Sequence, residues 1–390
     1  MLAGLEFAGR LAVQLGWNAL DASAGRLRRR GLPRGLAGVT PAFLSSALAE
    51  FAEGVVVSHV ETVGLASGTT SRARLRLAFE GPLPRADLPE RMFVKLAPRD
   101  LGTRLFVGLL GLGRTEVAFY RTARPQLPVR APEVYFAAAA GHGPHFLLLL
   151  EDLEARGCRF ADVGSPCDVA QAQAVMRALA RLHAGFWESP RLHRDLAWLG
   201  DRLEGAAFRT GLFLSKAALR PALRRFGELV PAGLRGAARF VAAQRPALEA
   251  AWRRPPLTLI HGDAHLGNLF FDGPEVGFLD WQVAQLGQGM RDVSYFLANS
   301  LAVETRRAHA ETLIRLYLAG LAEAGGPALP FSVAWEQFRL HALYAWISAL
   351  VTAAATTLQR ERIVRAALER SSAAVVELES LAALRELAQA

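Results

Sequence analysis

Cysteine is scarce: the 390-residue chain has two, Cys158 and Cys167. Two thiols cannot build a disulfide framework, and without companion Cys or His ligands they do not form a zinc set. That usage suits a reducing compartment and leads to the expectation of a cytoplasmic protein. Lysine is as rare, with only Lys95 and Lys216 among 45 basic residues, so almost every positive charge is an arginine. A secretory leader is not expected, because Glu6 and Arg10 interrupt the first apolar run and no small-residue cleavage site follows it. An amphipathic helix is expected there instead. Residues 340–358 contain no Asp, Glu, Lys or Arg and are long enough to span a bilayer. They also carry His341, Tyr344, Ser348 and three threonines amid alanines, so their transfer energy is weak for a span. The expectation is a buried core helix and no stable membrane span.

The formal charge is +9, and its excess is N-terminal: 18 basic against 11 acidic residues through Leu150, then 27 against 25. The densest run, Arg26 to Arg30, lacks the interleaved aromatics that stack on bases, so a solvated basic face is expected and a nucleic-acid partner is not. With 52% hydrophobic and 21% charged residues the composition is that of an ordinary globular protein. Its length exceeds what one core supports, so at least two lobes are expected.

The pattern along the chain predicts an α+β fold in three parts. Residues 1–54 read as a helical extension. Residues 55–150 read as a small β-sheet lobe: strands at Val55–Val63, Arg74–Phe79, Met92–Leu96, Glu133–Ala137 and Phe146–Leu150, with one helix inserted at Leu112–Ala123. Residues 151–390 read as a larger, mainly helical lobe, beginning with a helix that Asp168 caps and interrupted by a hairpin at Leu269–Leu279, whose turn is Asp272, Gly273 and Pro274. No internal repeat is evident.

The most informative stretch is His261-Gly262-Asp263-Ala264-His265-Leu266-Gly267-Asn268, followed after the hairpin by Asp280. Apolar Leu257–Ile260 leads in and Leu269–Phe271 leads out, so the polar residues occupy a loop pinned between buried strands. Phosphoryl transfer needs a carboxylate to orient the attacking hydroxyl and oxygen ligands to hold magnesium on the phosphates. Asp263, Asn268 and Asp280 supply that set, and the five-residue step from Asp263 to Asn268 equals the interval in the kinase catalytic-loop pattern. His261 is expected to support the loop by hydrogen bonding, and Gly262 to permit its turn. Lys95 lies inside an apolar strand, where a charge needs a buried partner; Glu116, on the following helix, is the natural candidate. Gly64–Ser71, with Gly68 and Thr69, could lay amides and hydroxyls over phosphates, although it lacks G-x-G-x-x-G and a plain hairpin turn explains it equally well. No Walker G-x-x-x-x-G-K-[ST] occurs. Asp292 reads either as a helix cap or as a brace for the catalytic loop.

Together these residues resemble the aminoglycoside phosphotransferase and choline kinase-like superfamily, including its ecdysteroid kinase-like branch, over about Val55 to Gly320. The strongest motifs are His261-Gly262-Asp263-x-His265-x-x-Asn268 and Leu279-Asp280-Trp281, with Asp292-x-x-Tyr295-Phe296 behind them. The resemblance implies a two-lobed, protein-kinase-like fold that binds ATP or GTP between the lobes, with the base meeting backbone groups of Glu151 to Leu153. It implies Asp263 as catalytic base, Asn268 and Asp280 as magnesium ligands, and Lys95 with Glu116 as the pair that anchors the phosphates. The chain departs from protein kinases in having Gly262 in place of Arg, Trp281-Gln282 in place of Phe-Gly, and only eleven residues between Asp280 and Asp292. A small hydroxylated acceptor, apolar or partly apolar, is therefore expected rather than a peptide. The near charge balance after Leu150 disfavours polycationic aminoglycosides. Two other readings compete: a non-catalytic nucleotide-binding protein, which the intact motif residues oppose, and a metallophosphoesterase suggested by Asp263-Ala264-His265, whose further ligands are missing.

Overall fold

The arginine-and-apolar alternation from Arg72 to Phe79 forms a strand whose apolar residues point one way and whose arginines point the other, as a period of two requires. The computed structural model describes all residues except Met1, 25–31, 68, 82–87, 142, 356–358 and 390. Two compact units result, one of Met1–Pro125 with Ala131–Cys158, the other of Gln126–Arg130 with Arg159–Ala390.

The first unit holds a five-stranded sheet built from β1 (Val57–Ser67), β2 (Ser71–Phe79), β3 (Arg91–Leu96), β4 (Val134–Ala139) and β5 (Phe146–Glu151). Its order is β1-β2-β3-β5-β4, and every neighbouring pair is antiparallel. One face packs Ala73, Leu75 and Leu77 with Met92, Val94, Leu147 and Leu149 against Leu44 and Leu48 of the helix Pro41–Leu48. Burial of such side chains is worth about 1.5–3 kcal/mol each and ties that helix to the sheet. The connection expected over Gly64–Ser71 is shorter than its composition suggested. The ladder with β2 continues to the pair Ser67↔Ser71, because glycine and serine weaken a strand without breaking its hydrogen bonds. Gly68 lies outside the described residues.

The insertion has two helical pieces: Leu101–Leu110, where no helix was expected, and Leu112–Ala118, which starts where expected and runs on as a π-helical turn to Ala123. Gly111 divides them with a left-handed φ of 65°, a conformation glycine adopts without penalty. The N-terminal helix Leu2–Ala24 docks on the first piece, where Arg10 donates to the Leu109 carbonyl at 2.8 Å and Arg104 to Asn18 Oδ1 at 2.7 Å.

The second unit is mainly helical. Its helix Val169–Phe186 starts with a capping box between Asp168 and Gln171. Helices Ala206–Phe226, Ala232–Ala243, Arg245–Trp252, Met290–Ser300, Phe331–Ala354 and Glu361–Glu377 share a core that includes Phe226, Trp252, Leu343, Trp346 and Leu368. The uncharged stretch lies in the helix Phe331–Ala354 from Leu340 to Ala354, its last residues 356–358 being outside the described ones, and among the described residues no helix is long and apolar enough to cross a membrane. Short strands are set among the helices: β6 (Arg159–Phe160), β7 (Thr258–Ile260), β8 (Leu269–Asp272), β9 (Glu275–Phe278) and β10 (Gln285–Gly287). β6, β8 and β9 form one sheet, while β7 pairs antiparallel with β10. The β8–β9 turn has Gly273 at φ 59°, as its sequence implied. The element order is the one expected of a protein-kinase-like α+β chain.

Candidate active site

Residues 261–268 leave β7, cross as a short loop and enter β8 through the 3-10 turn Leu266–Asn268. Gly262 makes the exit possible. Its φ is 82°, and an added Cβ would sit 2.5 Å from the Val283 carbonyl oxygen, so a side chain would be both strained and obstructed.

The loop is held from beneath by Asp292, in the first turn of the helix Met290–Ser300. Its Oδ2 accepts the His261 N–H at 2.6 Å, and its Oδ1 accepts the Gly262 N–H at 2.8 Å. The helix is capped by Gly289 with no side-chain cap bond, so Asp292 is a brace and not a cap. His183 Nε2 lies 3.3 Å from the same carboxylate and its Nδ1 lies 2.9 Å from the Tyr317 hydroxyl, all of them buried. Burial alone would raise the Asp292 carboxyl; the His183 hydrogen bond, the electrostatics of the two neighbouring imidazoles and the Gly262 N–H outweigh it and hold the group below its usual value. Nothing in the sequence pairs His183 and Tyr317 with Asp292, because they lie 109 and 25 residues from it and only packing brings them there.

His261 is fully buried, and its ring joins both halves of the site. Nδ1 accepts the Asp263 N–H at 3.2 Å, and Nε2 lies 3.0 Å from the Leu279 carbonyl oxygen. That pattern fits a neutral ring protonated at Nε2. Burial lowers its pKa despite the opposing pull of Asp292, Asp263 and Asp280. The supporting role expected of it matches these contacts.

The Asn268 side-chain amide donates to the Asp263 carboxylate at 2.9 Å and to the Asp263 carbonyl at 3.0 Å. With the nitrogen so committed, Oδ1 is the amide's remaining polar atom. Leu279, the residue before Asp280, is tied to the loop on both sides: its N–H donates to the Asn268 carbonyl at 3.0 Å and its carbonyl meets His261 Nε2 at 3.0 Å. Asp280 itself is in the left-handed region, φ 65° and ψ 59°, which a non-glycine residue seldom occupies. Asp263 and Asp280 are both partly exposed. His265 accepts the Gly267 N–H and lies 3.6 Å from Asp263 Oδ2. Among the described residues no three His, Cys, Asp or Glu side chains gather as a metal cage.

Two aromatics close the other side of the loop. The Tyr344 hydroxyl donates to the Gly262 carbonyl at 3.0 Å, and the Tyr295 hydroxyl lies 3.0 Å from Ser348 Oγ. The Tyr295 phenol is pushed well up by burial and by the nearby Asp263 charge, so it stays protonated. Of the helical unit's other aromatics, Tyr317 and Trp346 are core residues.

In the first unit Lys95 and Glu116 meet as the sequence suggested. Nζ is 2.9 Å from Oε1 and 2.7 Å from Oε2, with both side chains almost wholly enclosed. Thr69 lies in the β1–β2 connection. Glu151 ends β5, its carboxylate accepting the Glu133 N–H at 3.1 Å, and Leu153 is the buried first residue of an otherwise exposed turn.

The profile of the phosphotransferase enzyme family matches residues 85–328, a span that holds Lys95, Glu116 and the whole loop and hairpin. The chain belongs to that family. Among solved structures it is similar to an ethanolamine kinase from Plasmodium vivax, at 10% identity and TM-score 0.47, with 81% of each chain covered. It is similar too to a choline/ethanolamine kinase family protein from Mesorhizobium loti, at 15% identity and TM-score 0.44, covering 84% of this chain and 93% of that one. The GDP complex of a wild-type aminoglycoside 2'-phosphotransferase aligns at 13% identity and TM-score 0.44, covering 89% of this chain and 98% of that one. No curated protein sequence matches the chain.

Proposed function

We propose that this phosphotransferase moves the terminal phosphoryl group of ATP or GTP, with magnesium, onto a hydroxyl of a small, partly apolar molecule. The observation that carries the reading is the Asp263–Asn268 couple: one amide fixes the carboxylate's direction and leaves its own oxygen for a cation. In this reading Asp263 orients the acceptor hydroxyl and takes its proton as the hydroxyl oxygen bonds to the terminal phosphorus and the bridging oxygen departs with the nucleoside diphosphate.

Asn268 Oδ1 and the Asp280 carboxylate are two hard oxygen donors. That is the modest set magnesium takes from a protein when phosphates and water complete its shell; when bound, the ion would neutralise charge on the phosphates. Asp292, through His261 and Gly262, holds the loop in place. Lys95 with Glu116, the β1–β2 connection with Gly68 and Thr69, and the backbone from Glu151 to Leu153 are assigned to the nucleotide, making residues 55–150 the nucleotide-binding part and residues 151–390 the catalytic and acceptor part. The eleven residues between Asp280 and Asp292 favour a small acceptor over a peptide.

The test is a mass-spectrometric screen for phosphate transfer from ATP or GTP to pooled hydroxylated metabolites, sterols and macrolides. Transfer should require magnesium and fall about 100-fold or more in Asp263→Ala, with nucleotide affinity kept. Nucleotide binding without transfer to any pool would replace this reading with a non-catalytic one.

A further inference from the structure

Arg72 on β2 stands directly across from Lys95 on β3, and directly opposed residues of an antiparallel pair project from the same face of the sheet. The Lys95 ammonium is already neutralised by Glu116 at 2.7 Å. Arg72 has no such partner: among the described residues no carboxylate reaches it, and its Nε is enclosed without a hydrogen bond. The next two arginines on the same strand face are paired, Arg74 with Glu154 and Arg76 with Glu61. Two residues before Arg72, the Thr70 hydroxyl is 1% exposed and also unpartnered.

An enclosed donor without an acceptor costs stability, and no acid offsets the Arg72 charge among the described residues. The stability of the fold therefore gives no reason for an arginine at this position. A bound polyanion does, because the Lys95–Glu116 pair carries no net charge and can orient a phosphate oxygen without adding long-range attraction. A guanidinium fork adds both charge and two-point geometry.

We infer that Arg72 is the net-charge-bearing cation of the polyphosphate site, contacting the phosphates of a nucleoside triphosphate beside Lys95, with the Thr70 hydroxyl donating next to it. This inference rests on the nucleotide reading above.

The experiment is calorimetry on the full chain with magnesium, titrating ATP and GTP, each against its bare nucleoside, into wild type, Arg72→Met and Arg72→Lys. Arg72→Met should weaken the favoured triphosphate about 10- to 100-fold and leave its nucleoside unaffected. It should also flatten the salt dependence of triphosphate binding, and Arg72→Lys should recover part of the loss. Equal weakening of triphosphate and nucleoside, or no weakening, overturns the inference and leaves the nucleotide reading standing. A wild-type chain that binds none of the four overturns both.

Discussion

Asp292 shows how one carboxylate can set the shape of a site it does not enter. It satisfies two consecutive backbone N–H groups with separate oxygens, at 2.6 and 2.8 Å. Asn in its place has one acceptor oxygen, so a buried N–H is left facing an amide nitrogen. Asp292→Asn should therefore cost about 1–3 kcal/mol in denaturant unfolding and lower turnover although Asp263 is intact. Unchanged stability would mean that the loop holds its form without this brace. Lys95 and Glu116 depend on each other in the same way, because removing either partner of an enclosed pair strands the other charge.

At the scale of the loop and hairpin, backbone conformation matters more than any side chain. Gly262 combines a positive φ with a closed space, whereas Gly54 has a positive φ of 78° and nothing within 4 Å of an added Cβ. The two substitutions to Ala thus separate the cost of conformation from that of obstruction. Gly54→Ala should cost about 1–2 kcal/mol, and Gly262→Ala distinctly more, with loss of activity. Equal costs would show that the Val283 carbonyl moves aside freely. The hairpin over residues 269–278 was legible from its apolar runs and its Asp-Gly-Pro turn. The helix Leu101–Leu110 ahead of Gly111 and the length of β1 were not, because they depend on what the segment packs against and on hydrogen bonds to a partner strand.

Across the whole molecule, stability should respond to pH through buried imidazoles. His261 and His341 are both fully enclosed and both lowered from the ordinary value of 6.5, His341 well below it, chiefly by burial and then by the Arg291 charge. Below that value the unfolded chain binds protons that the folded chain refuses, so stability is complete above it and falls as pH drops toward the folded values. Asp292, depressed in the fold, acts at lower pH: its contribution is present above the ordinary carboxyl value and lost as pH falls through the folded one. The melting temperature should be flat from about pH 7 to 8 and decline from about 6.5 downward. His341→Gln should make the decline shallower, and a melting temperature that rises on acidification would contradict this assignment.

The candidate loop was legible as a unit in sequence because its polar residues are local: Asp263 and Asn268 are five residues apart, and Asp280 follows a short hairpin. Lys95 and Glu116 were readable for a different reason, since a charge inside an apolar strand requires a partner and few candidates exist. The tertiary structure decided how these residues are held. That His183 and Tyr317 back Asp292, that Tyr344 and Tyr295 flank the loop, and that Arg72 faces the same way as Lys95 with no acid partner among the described residues all follow from packing and strand register. Such relations join residues far apart in the chain, and no local pattern of residue types encodes them.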